Sequence, residues 1–215
     1  MKVKIILCLV MFYTPSLFCQ TNITSEQSLA LLKAGNDRFV RGSLSEKDFS
    51  AEIQATAHGQ NPYAIIVACS DSRVPPEIIF DESIGKLFVI RLAGNVINSA
   101  ALGSIEYAVK YLNLSYLLIL GHTHCGAVHT VVGGGNYSPA ITSLAKRIAP
   151  AFEKVKEMDI DKEKREEATI KENVLLQASL ALEMSDIISA NRNNGKLKIG
   201  GAIYGIEDCR VHFFD

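Results

Sequence analysis

The chain has 215 residues, 48 % of them hydrophobic, and a formal net charge of −1. That is enough for one domain with a real core. The near-neutral balance offers no basic face for phosphate, which argues against nucleic acid as a partner. No apolar run reaches the roughly eighteen residues of an integral membrane span.

The beginning of the chain differs in kind from the rest. Met1-Lys2-Val3-Lys4 is a short basic start. Residues 5–18 are mostly apolar, broken only by Thr14-Pro15-Ser16, and polar residues begin at Gln20. This layout predicts a secretory signal peptide over 1–19, followed by a single domain over 20–215. A buried N-terminal helix is the rival reading, and Pro15 and the basic start fit it poorly. An exported protein, periplasmic or secreted, is therefore expected. Leu17-Phe18-Cys19-Gln20 leaves two endings open: cleavage to a soluble product, or a lipid anchor on Cys19. Phe18 is bulky for a lipoprotein site, and Leu17 is poor for an ordinary peptidase. An oxidising compartment permits disulfides, but Cys8, Cys19, Cys69, Cys125 and Cys209 show no framework.

Residues 25–42 predict an amphipathic helix, with Leu29, Leu32, Phe39 and Val40 near helical spacing and Ser25 as its cap. Short apolar runs predict strands at 63–68, 87–91, 116–120, 197–204 and 210–214. Helical patterns fall between them at 75–80, 100–113, 126–132, 140–149 and 164–190. The alternation predicts an α/β fold: a mainly parallel central sheet flanked by helices, with an N-terminal helical arm. The charge run over 159–167 reads as a solvated surface. Gly133-Gly134-Gly135-Asn136 lacks a following Lys-Ser/Thr and reads as a turn.

The chemistry collects at two strand ends. Cys69 follows the first run, and His122 follows the third with Cys125 three residues later. Open α/β sheets place their sites past strand C-termini. Two thiols and an imidazole suit Zn²⁺, and three ligands leave a position open for water. Spacing alone leaves a second reading, two buried thiols beside an ordinary loop histidine. Asp71 and Arg73 by themselves would be a surface ion pair. Beside a metal, a carboxylate held by a guanidinium steers water.

Four motifs occur in order: Cys69-Ser70-Asp71-Ser72-Arg73-Val74, Arg91-Leu92-Ala93-Gly94-Asn95, Ser104-Ile105-Glu106-Tyr107-Ala108 and Gly121-His122-Thr123-His124-Cys125-Gly126-Ala127. Together they resemble the β-class carbonic anhydrases, over residues 25–214. The segment from Leu29 to Phe39 is similar to that family's helical arm, and Gly200 to Tyr204 to its last core strand.

The resemblance implies a lyase that holds one zinc on Cys69, His122 and Cys125. A zinc-bound hydroxide would convert carbon dioxide reversibly to bicarbonate and a proton. Donation from two thiolates should raise the pKa of that water above the ~7 of three-histidine sites. Asp71 would orient the hydroxide, or close the site as a fourth ligand, and Arg73 would hold it off the metal.

Gln60, Phe88 and Tyr107 match substrate-pocket residues that plant-like members draw from both subunits. Plain core is the alternative for Phe88 and Tyr107. Gly126, with Ala93-Gly94-Asn95, would shape the backbone near the metal. The arm implies a homodimer or homotetramer. His124 or His58 would shuttle protons. Thr123 stands where relatives often carry serine. Asp208-Cys209 replaces a usual glycine-containing turn, which leaves the C-terminal edge open. Two other functions stay open: hydrolysis of carbon disulfide or carbonyl sulfide, and a weakly active zinc-holding protein. Loss of Asp71 or Arg73 would mark the latter, and both are present.

Overall fold

The computed structural model describes residues 23–214. The predicted signal peptide, with Cys8 and Cys19, lies outside the described residues. Among these, no helix is long and apolar enough to cross a membrane.

Five strands form one sheet: β1 (Ala64–Ala68), β2 (Leu87–Arg91), β3 (Tyr116–His122), β4 (Lys198–Tyr204) and β5 (Val211–Phe213), in the order β2-β1-β3-β4-β5. The first four are mutually parallel and β5 runs antiparallel to β4. Helices α1 (Ser25–Arg41), α2 (Phe49–Thr56), α3 (Pro76–Ile79), α4 (Ser99–Tyr111), α5 (Gly126–Gly133), α6 (Pro139–Lys156), α7 (Arg165–Glu183) and α8 (Asp186–Asn193) surround it.

Every residue of β1 and β3 is buried. That is why both read as continuous apolar runs rather than alternating ones. Successive side chains leave on opposite faces. Ile65, Val67, Leu117 and Ile119 pack with Ile105 of α4, Val174 of α7 and Ile188 of α8. Ala64, Ile66, Leu118 and Leu120 pack with Leu32 of α1 and with Ile79 and Phe80 at α3. Each buried aliphatic side chain contributes about 1.5–3 kcal/mol as an upper estimate.

The cap of helix α1 is Thr24, one residue before the predicted Ser25, which is instead the first helical residue. The Thr24 hydroxyl accepts from the Gln27 amide while the Gln27 side chain accepts from the Thr24 amide, so two orphan amides are satisfied at once. A Cβ on Gly35 would lie 1.9 Å from the Phe80 carbonyl oxygen; only glycine lets α1 approach α3 so closely. Leu32, Gly35 and Asn36 are buried against their own chain.

Three expectations need correction. Helix α2 was not foreseen: it buries no residue, so its apolar residues form no core-facing stripe. Helix α6 runs past the predicted end at 149, through Pro150. Proline stops a helix only where the lost hydrogen bond is not outweighed, and here Ile148, Ala151 and Val155 continue the buried face. The helix predicted over 164–190 is two helices. Ser185 breaks it, accepting from the Ile188 amide at 3.2 Å to cap α8 and donating to Glu106 Oε1 at 2.6 Å.

Candidate metal centre

Cys69 sits one residue past β1, His122 is the last residue of β3, and Cys125 is the N-cap of α5. Ala68 pairs with Leu120 in register, so the two strand ends arrive side by side. The three ligand atoms lie within 4.8 Å of one another and all three residues are buried. The His122 Nδ1–H donates to the Thr123 carbonyl at 2.8 Å, which fixes the tautomer and leaves the Nε2 lone pair free. That Nε2 is buried with no hydrogen-bond partner. A buried, unpaired acceptor facing two thiols is unfavourable by itself and fits a borderline cation such as Zn²⁺. It also disfavours the plain-core reading of these residues.

The surroundings favour thiolate at Cys69. Cys69 Sγ accepts from the amides of Gly94 at 3.2 Å and Asp71 at 3.4 Å. Donation from Cys125, aided by those amides, draws the Cys69 thiol well down against the opposing effect of burial. Cys125, donating to Cys69 and buried, is pushed up, while the Ala127 and Val128 amides of α5 pull the other way. Gly94 has φ 68°, and a Cβ there would meet Ile148 Cδ1 at 2.6 Å. Glycine is thus what lets this backbone donor reach the sulfur.

Asp71 stands beside this cluster, its Oδ2 4.0 Å from His122 Nε2. Arg73 grips both carboxylate oxygens: Nε donates to Oδ1 at 2.9 Å, Nη2 to Oδ2 at 2.7 Å, and the Arg73 amide adds a bond to Oδ1 at 3.0 Å. This donation holds the Asp71 carboxyl well below the usual range. The carboxylate is therefore fixed by its partner.

The remaining site residues divide. Gly126 opens α5 with nothing within 4 Å of a built Cβ. Phe88 and Tyr107 stack, with ring centroids 6.2 Å apart. Phe88 is level with Ile65, four residues before Cys69, so it lies roughly 13 Å along the strands from the Cys69 level. Gln60 is exposed and precedes β1, at the end of that strand opposite Cys69. One chain does not bring Gln60, Phe88 and Tyr107 to the ligands. His58 is exposed at that far end, while His124 is exposed on the ligand loop itself. The C-terminal edge keeps its turn without the glycine: Cys209 takes φ 61°, and the Gly205 amide donates to the Arg210 carbonyl at 2.8 Å.

Two residues at the site were given no role by the sequence reading, although Arg91 opens one of its motifs. Arg91 donates from Nε to the Cys69 carbonyl at 3.0 Å and from Nη2 to the Asp71 carbonyl at 2.6 Å. Its signal was a charge ending the apolar run Leu87-Phe88-Val89-Ile90. Asn173 of α7 donates to the Gly94 carbonyl at 2.9 Å, and nothing local marked it.

A family model described as carbonic anhydrase matches residues 64–211. Carbonic anhydrase 2 of Mycobacterium tuberculosis is 38 % identical over 186 residues, covering 84 % of this chain and 88 % of that protein. A carbonic anhydrase of Synechocystis is 30 % identical over 200 residues, covering 84 % of this chain and 69 % of that protein. Among solved structures, the β-carbonic anhydrase CcaA aligns with a TM-score of 0.70 at 29 % identity, covering 87 % of each chain. A Coccomyxa β-carbonic anhydrase in complex with acetazolamide shares the fold at 23 % identity and a TM-score of 0.69, covering 77 % of each chain.

Proposed function

Because the chain belongs to the β-class carbonic anhydrase family and is thus a lyase, we propose that Cys69, His122 and Cys125 hold one zinc ion per chain and that Asp71 and Arg73 steer the reversible hydration of carbon dioxide to bicarbonate and a proton. The observation that carries this reading is the buried, unpartnered Nε2 of His122 beside two thiols. When bound, zinc supplies the Lewis acidity that makes water a nucleophile at moderate pH.

The other steps belong to the chain's own residues. Asp71 stays ionised and turns Oδ2 toward the ligand cluster. From there it accepts a hydrogen bond from the attacking oxygen and aims a lone pair at the carbon of carbon dioxide. Arg73 occupies both carboxylate oxygens, which keeps Asp71 back from the ligands. Arg91 pins the Cys69 and Asp71 carbonyls, so thiol and carboxylate keep one spacing.

A second copy supplies the outer pocket in this reading. Phe88 lies on the edge strand β2 and Tyr107 is 46 % exposed. Leu44, Phe49, Ile53, Ile78 and Ile84 are also exposed, more apolar surface than scattered surface residues supply. A homodimer, or a homotetramer built from it, would cover these residues and bring Gln60, Phe88 and Tyr107 to the partner's metal. Export rests on the basic start and apolar run of residues 1–19.

Stopped-flow carbon dioxide hydration, with zinc analysis and sedimentation of the same sample, tests the whole reading. Activity with one zinc per chain and no monomer at micromolar concentration is expected. An inactive, fully metallated dimer would overturn the hydration reading, and a fully active monomer would overturn the shared pocket.

A further inference from the structure

The turn between β4 and β5 carries a carboxylate that no step above employs. Glu207 Oε2 accepts from the Thr123 hydroxyl at 2.9 Å, and its Oε1 meets His124 Nε2. The Thr123 hydroxyl in turn accepts from the Ile206 amide at 3.0 Å, and the Thr123 amide donates to the Tyr204 carbonyl at 3.0 Å. Thr123 and His124 are the two residues between the ligands His122 and Cys125. One carboxylate therefore grips the whole span between two metal ligands.

His124 has φ 52°, a left-handed conformation that is strained for a non-glycine residue. In that conformation its carbonyl accepts from Arg73 Nη2 at 3.3 Å. The same nitrogen donates to Asp71 Oδ2 at 2.7 Å. The contacts are thus continuous from Glu207 through His124 and Arg73 to the carboxylate that faces the ligands.

The base of the turn is rigid. Asn36 of α1, 5 % exposed, donates to the Cys209 carbonyl at 3.1 Å and accepts from the Val211 amide at 2.9 Å. The Asp208 side chain accepts from the Arg210 amide at 3.0 Å. Glu207 therefore projects from a fixed support even though its own side chain is 59 % exposed.

We propose that Glu207 is a positioning residue for hydration: it clamps Thr123 and His124 so that the His124 carbonyl fixes Arg73, and through Arg73 the direction of Asp71. This rests on the hydration reading above. The alternative is a plain surface ion pair, which contributes little to stability and whose loss would leave the rate unchanged.

The test is Glu207→Ala made in the wild-type and Arg73→Ala backgrounds, assayed by stopped-flow hydration with zinc analysis and thermal melting. In the wild-type background, zinc content and melting temperature should hold. There kcat and kcat/KM should fall together by about tenfold, the sign of an interaction expressed in the transition state. In the Arg73→Ala background the further loss should be under about twofold, because the two residues act in series. Glu207→Gln, whose amide oxygen still accepts from Thr123, should recover part of the activity. A Glu207→Ala enzyme within about twofold of wild type would overturn the proposal, as would an equal loss in both backgrounds. Wild-type activity in the same assay keeps either failure distinct from a failure of the hydration reading.

Discussion

Replacing Asp71 by asparagine changes one atom and reverses its hydrogen-bonding sense. Oδ1 accepts two donors from Arg73 and Oδ2 accepts one. The amide oxygen will take the Oδ1 position, where it keeps two bonds, and the NH2 will take the Oδ2 position. There it faces Arg73 Nη2, a donor against a donor, and presents a donor to the attacking oxygen as well. A hydrogen bond to a charged group is worth about 1.5–3 kcal/mol. Losing the bond to the attacking oxygen, with comparable repulsion in its place, raises the barrier by roughly 3–5 kcal/mol, or about 10²–10⁴ in rate. The ligands are untouched, so Asp71→Asn should keep full zinc while kcat/KM for hydration falls by that factor. The assay is stopped-flow hydration on protein whose zinc content has been measured. Activity within about threefold of wild type, at full zinc, would show that Asp71 does not orient the nucleophile.

Cys69→Ala should lose zinc and activity together, because it removes one of three ligands; full zinc occupancy by metal analysis would sink the ligand assignment. Gly94→Ala should lower the melting temperature on the order of 10 °C, since a Cβ at φ 68° meets Ile148 and Ala127 and overpacking with backbone strain costs about 2–4 kcal/mol; an unchanged thermal melt would refute the close approach. Asp81 is buried, which alone would raise its carboxyl. Donation from Lys47, Arg38 and Ser45 outweighs that and holds it well below the usual range. A depressed carboxyl stabilises the fold above its unfolded pKa of about 3.9 and loses that contribution as pH falls through the folded value. Urea melts should therefore show Asp81→Asn costing stability near pH 7 and progressively less below about pH 4. A penalty independent of pH would remove the ion-pair account.

The sequence by itself determined the strands and the donor side chains gathered at their ends. Strands β1 and β3 are buried on both faces, so their apolar runs needed no tertiary context to be legible. Cys69, His122 and Cys125 stand where those runs stop, and thiols and an imidazole at strand ends carry their chemistry in their residue types. Asp71 and Arg73 were legible for the same reason, being two residues apart in one turn. The tertiary structure decided what depends on partners distant in the chain. Only packing shows that Ser185 breaks a helix by reaching Glu106, or that α6 continues through Pro150 because its far side is still buried. The roles of Arg91, Asn173 and Glu207 are invisible in sequence because each acts on a backbone or loop group from another element. Hydrophobic periodicity is a property of neighbours along the chain, whereas a hydrogen bond across elements exists only once the sheet has set its register.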